Sequence, residues 1–281
     1  MDPDRVLEKT AIEVRMKLLQ NIVMAGGGHT GGSLSSVDIL VALYFHVMNI
    51  DPENPELEDR DRFIMSKGHS VESFHAVLSK RGFFSQEILD TYGRFNSILA
   101  GHPTRKVPGV ELNSGALGHG LSVGTGMAIA AKRDGSKSRI FVLMGDGEHG
   151  EGSVLEAASA AGHYHLDNLV GIVDRNYLQI SGYTEEVMAI ENLEGKYRAC
   201  GWAIRECDGH NMKQLLETLG NTPFETGKPS LVIARTIKGK GVSFMENQAG
   251  WHHKVPSAEQ LEKALEELDL KRINYDGDHT L

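Results

Sequence analysis

The chain has 281 residues, with 29 Lys and Arg against 38 Asp and Glu, a formal net charge of -9 at pH 7. That balance, with no concentrated basic run, excludes a nucleic-acid partner, whose phosphates would repel it. No apolar run approaches the roughly 18 residues of a membrane span, and no signal-like stretch follows Met1.

Cys200 and Cys207 are too few for a disulfide framework and fit neither a zinc nor a C-x-x-C spacing. They point to a reducing, cytoplasmic compartment. In chain order, helical periodicity runs over 4–24 and 35–48, then a β-branched run at 62–65 reads as a strand. A helix over 69–81 and another over 117–133 lead to a strand at 139–144. A helix over 151–165 joins it to a strand at 169–174, and strands at 202–207 and 230–237 flank a helix over 211–219. The last element, 257–270, opens with Ser257-x-x-Gln260, a capping-box pattern, and carries Leu261, Ala264, Leu265 and Leu268 on one face. Such alternation predicts a doubly wound, mostly parallel α/β sheet flanked by helices. The acidic, Pro-containing stretch 51–61 reads as a surface loop, so residues 1–281 are expected to form a single domain.

The 139–144 strand runs directly into Gly145-Asp146-Gly147-Glu148-His149-Gly150 and then a helix. That turn sits at the carboxyl end of a strand, where open α/β sheets bind ligands. Formally it also matches G-x-G-x-x-G, the dinucleotide fingerprint, with Asp174 placed as the ribose-binding acid. Asp146 argues against that alternative, because a carboxylate facing a pyrophosphate meets like charge unless a cation lies between them. A neutral oxygen donor from the next strand end would complete a Mg²⁺ site, and Asn176 lies about 30 residues on, one strand-helix-strand circuit away.

Glycine numbers 32 of 281 residues, against a usual share of roughly 7%, and several of the 13 histidines sit beside it. They are Gly28-His29-Thr30-Gly31, Lys67-Gly68-His69, Gly101-His102-Pro103 and Gly118-His119-Gly120. Glycine permits close approach of ligand to backbone, and imidazole donates, accepts or shuttles protons near neutral pH. Taken singly, each of these histidines reads more readily as a capping, turn or satisfied core residue, and only the set favours function. His46, His75, Glu148, His149, His163, His165 and His210 are assigned structural roles.

Taken together, the Gly145 to Gly182 segment, the histidine turns in this order, Leu112-Asn-Ser-Gly-Ala-Leu-Gly118 and Lys238-Gly-Lys-Gly241 with Trp251-His252-His253-Lys254 resemble the diphosphate-binding half of transketolases. The resemblance implies Mg²⁺, with Ca²⁺ or Mn²⁺ as substitutes, held by Asp146, Asn176 and the Leu178 carbonyl. It implies thiamine diphosphate contacted by His69, Gly115, Leu117, Gly147, Glu151, Asn176, Ile180 and His252. His29, His102 and His252 would face the sugar as catalytic residues. Arg175 stands where the family motif often has an asparagine, and His119 where glutamine is common, so neither position carries a role over. Glu151 and Glu156 would match interface glutamates.

By the same resemblance, the glutamate that activates the cofactor, the pocket for its pyrimidine and most phosphate-reading basic residues belong to a following domain. The sequence ends at Leu281. The expectation is therefore the N-terminal subunit of a split transketolase, paired in an α2β2 assembly with a C-terminal, pyrimidine-binding subunit; a truncated chain is the alternative. The reaction implied is reversible transfer of a two-carbon ketol unit between sugar phosphates. Rival readings are the α chain of a 2-oxoacid dehydrogenase, a deoxyxylulose-phosphate synthase or a non-catalytic ligand-binding protein. The histidine series favours transketolase.

Overall fold

The structure, a computed structural model, describes residues 3–276. Helix α1 (Pro3–Ala25) opens with a proline, which suits a first helical position whose N–H would be unpaired anyway. It buries Leu7, Ala11, Val14, Leu18 and Ile22, the three-to-four spacing of one helical face. Helix α2 (Thr30–Ala42) is buried on every side and passes into a π-helical turn, Leu43–Val47. It starts five residues earlier than its sequence pattern predicts, with Gly31 and Gly32 inside the helix. A Cβ on Gly31 would lie 2.9 Å from the Trp251 carbonyl, and one on Gly32 would lie 2.8 Å from Ser70 Oγ. Close packing therefore sets these glycines, and no turn does.

Strand β1 (Arg62–Met65) is followed by a single 3-10 turn at Gly68–Ser70, α3 (Val71–Arg81) and the short α4 (Gln86–Leu89). Helix α5 (His119–Arg133), β2 (Ile140–Gly145), α6 (Gly152–His163) and β3 (Leu169–Arg175) come next. Short helices α7 (Thr184–Val187) and α8 (Leu193–Ala199) lead to β4 (Ala203–Asp208), α9 (Met212–Gly220), β5 (Ser230–Arg235) and finally α10 (Ala258–Asp276). All five strands are parallel, in the order β1-β2-β3-β5-β4. The doubly wound sheet expected from the sequence is the observed one.

Successive side chains of each strand point to opposite faces, so the sheet divides the interior in two. Phe63, Phe141, Leu143, Ile172 and Val232 pack with α1, α2, α3, α9 and α10. Ile64, Val142, Met144, Val173 and Ile233 pack with α5, α6 and α8. Burial on both faces explains why β2 and β3 are apolar along nearly their whole length. Strand β4 lies at the edge and exposes Arg205 and Glu206, so its pattern is mixed. The registers align Gly145 with Asp174, and Arg175 with Arg235. The loops after β2, β3 and β5 therefore leave the sheet at one level. No helix among the described residues is long and apolar enough to cross a membrane.

Candidate active site

Asp146, the first residue after β2, is buried and tied to its neighbours at both oxygens. Oδ1 accepts from the Gly147 N–H at 2.8 Å, while Oδ2 accepts from the Tyr177 N–H at 2.6 Å and from Arg175 at 3.3 Å. Burial, then the nearby Asp174 charge, pushes its pKa up, so further positive charge would be welcome at this carboxylate. Asn176 follows β3, and its Oδ1 accepts from the Leu178 N–H at 3.2 Å. Tyr177 between them has φ +65°, a left-handed turn that carries the chain away from the strand. Leu178 then bridges to Tyr183, leaving Ile180 at the loop tip, 68% exposed.

The Leu178 carbonyl meets a cation already. Lys238, just beyond β5, donates its ammonium to that oxygen at 2.9 Å and to His252 Nδ1 at 2.8 Å. Lys238 is 2% exposed, and burial together with Lys67 lowers its pKa to about 8. Lys67 itself donates to the Gly32 carbonyl at 3.0 Å and pairs with Asp174. Asp174 is fully buried and also accepts from Ser35 Oγ and Thr236 Oγ1. Burial pushes that carboxyl up, but Lys67 and these hydroxyls hold it below its ordinary value. Its oxygens are thus consumed within the fold, which removes the ribose-binding acid that the dinucleotide alternative requires.

Five imidazoles gather beside these loops. The His29 ring centroid lies 5.3 Å from His69, 6.1 Å from His102, 5.8 Å from His252 and 4.4 Å from His253. His69 and His252 stack at 5.3 Å. Burial, followed by the charges of His253, His102 and the two lysines, lowers the His29 pKa to about 4. Burial and Lys238 lower that of His252 to about 3, and burial with Lys67 holds His69 far below its ordinary value. These three rings are neutral at physiological pH, each presenting one donor and one acceptor nitrogen. Such groups suit hydroxyls and carbonyls.

Glycine conformation shapes the opposite wall. Gly115 has φ +145°, and a Cβ there would meet His102 Cδ2 at 2.7 Å. Glu148 holds three loops together, accepting from the Gly118 N–H at 2.7 Å, the Gly145 N–H at 3.1 Å and Ser66 Oγ. It also borders the cavity described below, although the sequence reading assigned it a structural role alone.

Every candidate residue except His102 borders one cavity of about 400 Å³, namely His29, His69, Gly115, Leu117, Asp146, Gly147, Glu151, Asn176, Leu178, Ile180 and His252. His102 borders an adjoining cavity of about 310 Å³, and His29 borders both. Glu151 and Glu156 are exposed, the former on the cavity rim. His119 is exposed too, and its Nδ1 lies 3.1 Å from the Leu117 carbonyl. The sequence reading missed Lys67 and Lys238, although both precede a glycine, Lys67 in the turn that carries His69 and Lys238 in the Lys238-Gly-Lys-Gly241 turn. Among the described residues no group of three or more His, Cys, Asp or Glu side chains is placed to hold a metal ion.

Residues 7–273 match the family described as transketolase, thiamine diphosphate binding domain. The chain is 52% identical over 262 residues to an apulose-4-phosphate transketolase subunit of Phocaeicola vulgatus, covering 93% of each. It is 40% identical over 264 residues to the 6-deoxy-6-sulfo-D-fructose transketolase subunit SqwG of a Clostridium species, covering 94% of this chain and 96% of that one. Among solved structures, transketolase from Leishmania mexicana superimposes with a TM-score of 0.86 at 27% identity, over 96% of this chain and 46% of that one. Transketolase from Campylobacter jejuni gives 0.85 at 28% identity, over 99% and 48%. The chain spans about half the length of these solved structures.

Proposed function

This chain belongs to the transketolase family, and from that premise we propose that it is the thiamine diphosphate-binding subunit of a two-part transketolase. The observation that carries the reading is the convergence of Asp146, Asn176, the Leu178 carbonyl, Lys238, His69 and His252 on one cavity at the carboxyl edge of the sheet. The cofactor and its metal fit these residues on two grounds. Asp146 is a buried carboxylate whose raised pKa marks negative charge in need of compensation. The Leu178 carbonyl already accepts from an ammonium, so the space before it accommodates positive charge.

One carboxylate, one amide oxygen and one carbonyl form the hard oxygen set that suits Mg²⁺, with Ca²⁺ or Mn²⁺ as substitutes. Asp146, Asn176 and the Leu178 carbonyl would hold the ion. His69, His252 and Lys238 would contact the diphosphate, beside Gly115, Leu117, Gly147, Glu151 and Ile180. Bound thiamine diphosphate would supply the electron sink for breaking and making a carbon-carbon bond. This chain's residues bind and orient it, keep the imidazoles of His29 and His252 neutral, and present these and His102 to sugar hydroxyls and to protons in transit.

The reaction we assign is reversible transfer of a two-carbon ketol unit from a ketose to an aldose. Relatives are named for apulose 4-phosphate and for 6-deoxy-6-sulfo-D-fructose, so we propose a ketose with an anionic tail. We take residues 1–281 as one diphosphate-binding unit, with the pyrimidine-binding and C-terminal domains supplied by a second polypeptide in an α2β2 assembly. Two observations support this: these relatives, of nearly the same length as this chain, are themselves named as subunits, and apolar side chains lie on the surface near the cofactor cavity. Ile180, Tyr183 and Met188 are 68%, 53% and 63% exposed, and Met188 lies against Gly150 beside the GDG turn. We assign the protein to the cytoplasm on its two free cysteines.

The test mixes this chain with its complementary subunit, Mg²⁺ and thiamine diphosphate, then measures ketol transfer from apulose 4-phosphate and other ketose phosphates. Transfer that needs all components is the expected result. Release of CO₂ from a 2-oxoacid with no ketol transfer would overturn the reading.

A further inference from the structure

Past the end of β4 the Gly209 N–H still bonds the Arg235 carbonyl of β5, at 2.8 Å, before the chain turns away into α9 with Asn211 as its N-cap. On the β5 side, the Thr236 N–H faces β3 and donates to the Arg175 carbonyl at 3.0 Å. The next amide, Ile237 N–H, faces the edge that β4 has left, and it donates to His210 Nε2 at 2.8 Å. The imidazole stands in for a strand carbonyl. At its other nitrogen, Nδ1 lies 2.6 Å from Asp38 Oδ2. Asp38, on α2, is 7% exposed and accepts from both terminal nitrogens of Arg15 on α1, at 3.0 and 2.5 Å. Burial pushes this carboxyl up, but Arg15 and His210 hold it below its ordinary value, so it accepts and cannot donate. The Ile237 amide donates and cannot accept. Between the two, only the tautomer with its proton on Nδ1 satisfies both.

The Arg15–Asp38 pair does not need the imidazole for its own sake, since arginine already reaches both carboxylate oxygens. What the ring adds is an anchor at the residue before Lys238. Beyond that lysine, the Gly239 N–H donates to the Gly31 carbonyl at 3.0 Å, and the Lys238 carbonyl accepts from the Asn247 N–H at 2.9 Å. The Lys238 ammonium must span from this backbone to the Leu178 carbonyl and His252 Nδ1. A lysine head sits on a flexible four-carbon stem, so it is placed only as well as the backbone that carries it.

We propose that His210 is the positioning residue for Lys238: Asp38 orients the imidazole, and the imidazole fixes the backbone from which the ammonium reaches the wall of the cofactor cavity. The consequence for the cofactor rests on the thiamine diphosphate reading above; the coupling of His210 to Lys238 does not. Lys238 borders that cavity and His210 does not, so any effect of His210 on the cofactor passes through the lysine.

His210→Asn and His210→Gln test this with one amide at two reaches. The shorter side chain extends about as far as Nδ1 and keeps a donor for Asp38, which preserves the fold; the longer extends about as far as Nε2 and keeps an acceptor for Ile237. In the complex with the complementary subunit at fixed Mg²⁺, calorimetry should show thiamine diphosphate affinity down about fivefold for Asn and within about twofold of wild type for Gln. Unchanged affinity in the Asn variant, equal losses in the two, or the reverse order that a role confined to Asp38 would give, each overturns the proposal. In a Lys238→Met background, His210→Asn should cost no further affinity, because the group it positions is gone. The same loss in both backgrounds would mean that His210 acts on the fold at large. Should the wild-type complex bind no thiamine diphosphate, the functional reading fails, and His210 is judged on this chain alone by acetic anhydride labelling read by mass spectrometry. His210→Asn should raise the rate at Lys238 severalfold relative to the other lysines, with His210→Gln near wild type; a rate at Lys238 that does not move would sink the positioning role.

Discussion

Lys238 gives its ammonium to the Leu178 carbonyl across 2.9 Å, tying the loop after β5 to the loop after β3 at the wall of the cofactor cavity. Lys238→Met keeps the aliphatic stem and removes the charge. A hydrogen bond to a charged group contributes about 1.5–3 kcal/mol, so thiamine diphosphate affinity should fall about 10- to 100-fold. Calorimetric titration of the complex at fixed Mg²⁺ measures it. Unchanged affinity would remove Lys238 from the diphosphate site.

Asp146→Ala tests the metal assignment separately from the diphosphate. With the wild-type complex, adding EDTA should weaken cofactor binding. In the variant, affinity should already be down by about 100-fold or more, and EDTA should have little further effect. The Gly147 and Tyr177 N–H groups lose their acceptor as well, so a melting curve should accompany the titration. A variant whose cofactor binding still responds to Mg²⁺ would show that the ion sits elsewhere.

His75 makes stability fall in acid. Its ring is fully buried, neither nitrogen has a hydrogen-bond partner, and burial lowers its pKa to about 3. The unfolded chain binds a proton at this side chain below about pH 6.5, whereas the native state does not until near pH 3. The stabilisation is therefore complete above the unfolded value and is lost as pH falls through that window, by about 1.4 kcal/mol per unit for this one group. His75→Phe should flatten the acid limb of a stability-against-pH curve from denaturant titrations. An identical slope in the variant would assign the acid sensitivity to other groups.

Most of the sheet was legible because parallel strands covered on both faces read as continuous apolar runs, as 62–65 and 169–174 do. Asp146 and Asn176 were legible because both sit where a strand ends and the chain must turn. The start of α2 was not, since Gly31 and Gly32 read as a turn and only their contacts with Trp251 and Ser70 explain them in a helix. Helices α7 and α8 are too short for periodicity to register. Lys67 and Lys238 were missed for another reason: lysine reads as a surface residue, and only the fold shows that Asp174 and the Leu178 carbonyl draw these two inside.

Arg175 carries the remaining prediction. It is 2% exposed and donates to Asp146 at 3.3 Å, Thr184 Oγ1 at 2.8 Å, Glu185 at 3.0 Å and Glu191 at 2.9 Å, with its guanidinium 4.0 Å from the Tyr177 ring centroid. The planar fork thus ties the end of β3 to α7, to the loop before α8 and to the carboxylate of the GDG turn. Glu185 and Glu191 are exposed and can turn to water if the arginine is lost, but Asp146 cannot. Breaking a buried pair on one side costs about 3–5 kcal/mol, and the partly compensated Asp146 puts Arg175→Leu near the lower figure. Arg175→Lys should recover only part of this, because one ammonium on a flexible stem cannot serve four acceptors spread around a plane. Denaturation midpoints of the three chains give the order wild type, Lys, Leu. Since the same segment carries Leu178 and Ile180, cofactor affinity should follow that order, and a lysine variant as stable as wild type would show that charge alone, without the fork, satisfies the site.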